Sequence, residues 1–136
     1  MDININSTHL KILKELNIAI VYLFGSCAEG KALSVSDIDI GIVLTKDAAA
    51  NLEEDTGKIY NQVYDIVTEI FPSRHIDIVF LHKAPLELRF DVINHGRILF
   101  ESSHEESLDF EEKTMVLYAD FKPLLKEIND TIINRA

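Results

Sequence analysis

Ile18-Ala19-Ile20-Val21-Tyr22-Leu23-Phe24, running into Gly25-Ser26, and Asp37-Ile38-Asp39-Ile40-Gly41-Ile42-Val43-Leu44 are the two stretches whose reading decides the fold. The first is apolar throughout, rich in β-branched residues and too short for a buried helix, so it reads as a strand covered on both faces. Gly25-Ser26 bounds it. The second alternates in its first half and is apolar in its second, which predicts another strand over residues 37–44.

Outward from this pair the chain alternates between helical and extended patterns. Leu10, Leu13 and Leu16 have helical spacing, with Ser7 or Thr8 as the expected N-cap and Asn17 as the end. Cys27 to Ala32 reads as one or two helical turns and Leu33 to Ser36 as a loop. Asp47 to Phe71 reads as one long helix, weakened at Gly57 and closed by Pro72. Its apolar stripe is Leu52, Ile59, Val63, Ile66, Val67 and Ile70. His75 to Leu81 is a third strand. Pro85 suits the first turn of a helix ending near Asn94 or His95, with Gly96 as its cap. Arg97 to Glu101 is a short strand at an edge. Ser103 to Asn134 is a final long helix that Pro123 would kink or divide. The pattern predicts a single α/β (α+β) domain over residues 1–136, with a mixed sheet of three or four strands flanked by helices and 103–134 as a C-terminal helical segment.

Composition narrows the function. The 136 residues suit one domain, and 47% hydrophobic content supports a real core. A formal net charge of −10 repels phosphate backbones, so no stable nucleic-acid binding is expected; a basic protein partner fits better. The single cysteine, Cys27, excludes an internal disulfide and paired zinc motifs. Met1-Asp2-Ile3-Asn4 lacks the regions of a secretion signal, and no apolar run approaches the roughly 20 residues of a membrane span. A soluble cytoplasmic protein without membrane attachment is the expectation.

The chemistry lies where the two strands meet. Side chains two apart on a strand share a face, so Asp37 and Asp39 present adjacent carboxylates. Adjacent anions repel, and a divalent cation relieves them; carboxylate and phosphate oxygens are the ligands magnesium prefers. Asp77 stands between Ile76 and Ile78, and if its strand lies beside the second it completes a three-carboxylate cluster. Such a cluster suits two Mg2+ ions about 4 Å apart in an in-line phosphoryl or nucleotidyl transfer. One ion would activate the attacking hydroxyl and the other would steady the triphosphate. Asp77 would hold the first and could take the hydroxyl's proton. Gly25 lets backbone approach a ligand, and Ser26 with free amides at a helix start can bind phosphate.

Taken together, Leu23-Phe24-Gly25-Ser26-Cys27-Ala28-Glu29-Gly30, Ser36-Asp37-Ile38-Asp39-Ile40 and Ile76-Asp77-Ile78 resemble the signature of the nucleotidyltransferase superfamily that includes the catalytic domain of DNA polymerase beta and the kanamycin nucleotidyltransferases. The ten-residue spacer between Ser26 and Asp37 is similar to that of minimal nucleotidyltransferases, the MNT proteins. The likeness extends from about residue 8 to 101. The resemblance implies an antitoxin that transfers AMP from ATP to a tyrosine of a HEPN-domain RNase toxin. It implies Asp37, Asp39 and Asp77 as catalytic and metal residues, and Gly25 and Ser26 as nucleotide-binding ones. The alternatives are an antitoxin that acts by binding alone and a small-molecule transferase of the aminoglycoside type.

Cys27 and Glu29 depart from the arginines frequent at those positions, and an acid at 29 repels a triphosphate. Lys31, Arg74 and Arg89 are the candidate compensating cations. His75 would share the face of Asp77, although a histidine at a strand start is more often structural or exposed. Asp65 and Glu69 form a helical pair with no expected role beyond solvation. The apolar pattern from Phe110 to Ile133 is expected to cover the sheet, with a share available to a partner.

Overall fold

Both deciding stretches are strands, and they are the two central strands of one sheet. The computed structural model describes residues 3–25, 37–50 and 52–135. The elements are α1 (Ser7–Glu15), β1 (Ile18–Phe24), β2 (Ile38–Leu44), α2 (Lys46–Ala50), α3 (Leu52–Ile70), β3 (Ile76–Phe80), α4 (Leu86–His95), β4 (Arg97–Glu101) and α5 (His104–Arg135), with a 3-10 turn at Leu81–Lys83. The four-stranded sheet has the order β3-β2-β1-β4. β1 pairs antiparallel with both β2 and β4, and β2 pairs parallel with β3. The expected mixed sheet is therefore present, with Arg97–Glu101 at an edge.

Each face of the sheet carries its own apolar cluster. Ile38, Ile40, Ile42 and Leu44 alternate onto one face, where they pack with Val21, Leu23 and with Ile59, Val63, Ile66 and Val67 of α3. Ile20, Tyr22 and Val43 occupy the other face with Leu81, Ala84 and Val92, against which Leu88 of α4 and Phe110 of α5 pack. Burial on both faces is why β1 shows no alternation in sequence. A register shift between Ile18 and Ile20 moves β1 from one face to the other, so Ile18 joins the first cluster and Ala19 and Ile20 both join the second. With the even positions of β2 assigned to the α3 face, Asp37 and Asp39 belong to the α4/α5 face.

Several boundaries differ from expectation. The N-cap of α1 is Asn6, not Ser7 or Thr8: its Oδ1 accepts the His9 N–H at 2.8 Å, and its own N–H donates to His9 Nδ1 at 3.3 Å. Reciprocal satisfaction of two backbone donors selects Asn6 over hydroxyl caps that satisfy one. Asn17, at φ 59, turns the chain out of α1. The expected single helix over 47–71 is two helices, Lys46–Ala50 and Leu52–Ile70. Gly57 is not the weak point, since a Cβ there would meet open space and the buried stripe of α3 outweighs a propensity cost of about 1 kcal/mol. α5 is not divided at Pro123, which lies inside the assigned helix. Gly96 caps α4 without a left-handed φ; its N–H donates to Val92 O at 2.7 Å, and a Cβ there would stand 2.3 Å from that same oxygen. The turns expected at 27–32 and the loop at 33–36 lie outside the described residues.

Side-chain ties lock the helices to the sheet. The buried Tyr22 hydroxyl donates to Glu111 Oε1 at 3.0 Å, joining β1 to α5. Burial, reinforced by the Glu111 carboxylate, holds that hydroxyl well above its ordinary pKa, so it remains a donor. Phe90 of α4 stacks on Tyr118 of α5 with centroids 3.8 Å apart. Glu69, expected only to be solvated, takes a 2.6 Å hydrogen bond from the nearly buried His9 and pins α1 to α3. Among the described residues no helix is long and apolar enough to cross a membrane.

His9 is thus held at both ring nitrogens and at its amide. The His9→Ala substitution would leave the Asn6 N–H and Glu69 without these partners and open a cavity under α1. It is expected to lower unfolding free energy by about 2 kcal/mol in urea denaturation, while Glu69→Gln, which keeps an acceptor, is expected to cost less than about 1 kcal/mol.

Candidate active site

The carboxylates are placed by backbone pairing. In the β2–β3 ladder Ile38 stands opposite Ile76 and Asp39 opposite Asp77. Asp37 immediately precedes β2, where the Ile38 N–H donates to the His75 carbonyl at 2.8 Å. That bond draws residue 75 beside residue 37. Because β1 runs antiparallel to β2, its last residue, Phe24, pairs with Asp39. Gly25, Asp37, Asp39, His75 and Asp77 therefore converge at one end of the sheet, formed by the end of β1 and the starts of β2 and β3.

Gly25 is required at its position for two reasons. Its φ is +76°, a region that costs an L-residue about 1–2 kcal/mol. A Cβ there would also lie 2.4 Å from Asp39 Oδ2. The absent side chain is what lets the chain turn against the Asp39 carboxylate. Asp39 is half-buried, and desolvation raises its pKa; Asp77 and Asp37 raise it further, and His75 opposes them.

Asp37, His75 and Asp77 are exposed, and one ligand atom from each lies within 4.8 Å of the others. His75 Nδ1 is 3.5 Å from Asp37 Oδ1. The site thus holds three carboxylates with one imidazole beside them and a repulsion that already shifts Asp39. That donor set fits a divalent cation, which would relieve the repulsion and accept phosphate oxygens in its remaining positions.

Of the residues singled out from sequence, Gly25, Asp37, Asp39 and Asp77 come together here. Ser26, Cys27, Glu29 and Lys31 lie outside the described residues. Arg89 does not reach this end: its charge acts on His82, whose Nε2 is 3.3 Å from the Leu44 carbonyl, and Leu44 is about 16 Å along β2 from Asp39. His75, exposed as a histidine at a strand start commonly is, also belongs to the cluster. The signal was its two-residue spacing from Asp77, and what the sequence lacked was the pairing that sets it beside Asp37.

Residues 8–105 match the family described as Polymerase beta, Nucleotidyltransferase. No curated protein matches the chain. Among solved structures, a toxin–antitoxin crystallised with AMP-PNP shares 22% identity and covers 90% of this chain and 94% of its own, with a TM-score of 0.65. The complex of a tri-AMPylated Shewanella oneidensis HEPN toxin with MNT antitoxin shares 21% identity over 93% of each chain, with a TM-score of 0.57. The MntA-HepT toxin–antitoxin shares 22% identity over 93% of this chain and 94% of that one, with a TM-score of 0.55. These structures share the fold.

The raised pKa of Asp39 has a definite sign for stability. The folded protein binds that proton more tightly than the unfolded chain, so the contribution falls as pH rises through the raised pKa. Without metal at pH 7, Asp39→Asn is expected to raise Tm by roughly 2 °C, a small effect because solvent screens the site. The difference is expected to vanish below the ordinary carboxylate range. Thermal melts of both proteins across that range measure it.

Proposed function

The chain belongs to the Polymerase beta nucleotidyltransferase family, and from that premise we propose that it is an antitoxin that transfers AMP from ATP to a tyrosine of a HEPN-type RNase toxin. The observation that carries the reading is the convergence of Asp37, Asp39 and Asp77 at the strand ends where Gly25 turns. Support for the acceptor comes from the Shewanella oneidensis complex, in which an MNT antitoxin accompanies an AMPylated HEPN toxin. Support for the donor comes from the toxin–antitoxin crystallised with AMP-PNP, an ATP analogue.

Asp37, Asp39 and Asp77 would hold two Mg2+ ions together with the phosphates of ATP. Bound there, the ions would supply charge neutralisation for the triphosphate and a lowered pKa for the attacking hydroxyl. The chain's own groups do the rest. Gly25 brings backbone close to the phosphates, and Ser26 offers a hydroxyl and amide to them. The tyrosine oxygen bonds to the α-phosphorus as the α–β bridging bond breaks and pyrophosphate leaves. Asp77, exposed at the edge strand, takes the tyrosine proton. Asp39, lodged against Gly25, is the fixed member of the set.

α5 supplies a surface for a protein partner. Leu117, Leu124 and Ile128 are each nearly half exposed and fall on one stripe at helical spacing with Phe121. A net charge of −10 favours a basic partner. The same stripe favours a second reading, neutralisation by binding alone, which needs no chemistry at the aspartates.

Incubation of the full chain with labelled ATP, Mg2+ and the cognate toxin is expected to label a toxin tyrosine. Asp39→Ala is expected to reduce the rate by about 100-fold or more, equivalent to about 3 kcal/mol of lost charge stabilisation. Absence of label from the wild-type reaction overturns the enzymatic reading. Continued protection of cells by Asp37→Ala/Asp39→Ala identifies the binding-only one.

A further inference from the structure

We infer that His75 is itself a ligand of the cation held by Asp37 and Asp77, so that this position takes manganese or a similar transition ion more tightly than magnesium. The inference rests on the reading that these carboxylates hold a cation.

The geometry is the first argument. His75 Nδ1 and one oxygen each from Asp37 and Asp77 all lie within 4.8 Å of one another. Ligands of one octahedral ion at about 2.1 Å stand about 3 Å apart when adjacent and about 4.2 Å apart when opposite, so small side-chain rotations bring all three onto one centre. The 3.5 Å between Nδ1 and Asp37 Oδ1 exceeds the roughly 2.7–2.9 Å of a closed charge-assisted hydrogen bond.

The backbone is the second. The Ile38 N–H fixes the carbonyl of residue 75 against the start of β2 at 2.8 Å. The main chain of residue 75 is therefore held beside Asp37, and bringing the imidazole onto the same ion as the carboxylates needs side-chain rotation only. With a side chain 69% exposed, His75 has room to turn, and Nε2 can carry its proton toward water while Nδ1 faces the carboxylates.

Ligand chemistry decides which ion. An all-oxygen set is what magnesium prefers, and it gives up its waters reluctantly. Imidazole is a borderline nitrogen donor that favours first-row transition ions over magnesium, least for manganese and increasingly for the later ions.

The test uses the nucleotide-free full chain and compares wild type with His75→Ala and His75→Gln, titrating Mn2+ by electron paramagnetic resonance and displacing it with Mg2+. His75→Ala is expected to weaken Mn2+ by about tenfold and Mg2+ by less than about twofold. Bound Mn2+ in the wild type is expected to show an imidazole nitrogen coupling in pulsed spectra that both variants lose. Equal changes for the two ions, tighter Mn2+ in His75→Ala, or no nitrogen coupling in the wild type would overturn the ligand assignment and leave the carboxylate site standing. Failure of the wild type to bind either ion would overturn both.

Discussion

The parallel pairing of β2 with β3 sets Asp39 opposite Asp77, and the proposed chemistry depends on that register. Backbone hydrogen bonds do not yield to side-chain repulsion, so the carboxylates are held together whether or not their charges are compensated. A slip of one residue would turn Asp77 toward the α3 face, where Ile76 and Ile78 pack, and would bury a charge among apolar groups. The apolar alternation of both strands thus protects the register, and the register creates the electrostatic problem that a cation would solve.

The remaining architecture decides how exposed that problem is. The α4/α5 face is filled by Tyr22, Val43, Leu81 and Val92, and Phe24, the partner of Asp39 at the strand end, packs against them. Asp37 and Asp77 are left in solvent while Asp39 is pressed against Gly25. Full burial of all three would have made the unliganded fold costly. Full exposure would have given a site without fixed geometry. One half-buried carboxylate beside two open ones lies between these limits, and burial, with Asp77 and Asp37 nearby, raises the pKa of Asp39.

Much of this was legible in the sequence, for identifiable reasons. β1 and β2 were legible because central strands carry unbroken apolar runs. Asp37, Asp39 and Asp77 were legible because three charged residues interrupt patterns that otherwise predict burial or alternation. The cap of α1 was not, because Asn6, Ser7 and Thr8 are all competent and the choice rests on the His9 ring. Glu69 looked like a solvated residue because its partner lies 60 positions away. The membership of His75 depended on strand adjacency, which periodicity does not encode. The helix through Pro123 shows the limit of local rules, since a residue that disfavours a helix interior by about 3 kcal/mol still lies within one.

The two ends of the proposed function are linked by charge. An acidic chain cannot attract ATP by its own field, so a cation at the aspartates would be a condition for nucleotide binding as well as for catalysis. The same acidity would attract a basic partner without any cation. In the proposed function, partner recognition at the apolar stripe of α5 and nucleotide recognition at the strand ends would therefore be separable in physical origin. If both operate, complex formation would not wait on metal, while transfer would. The cation would then act as the switch between a bound toxin and a modified one, and the identity of the ion favoured by His75 would determine under which metal supply that switch closes.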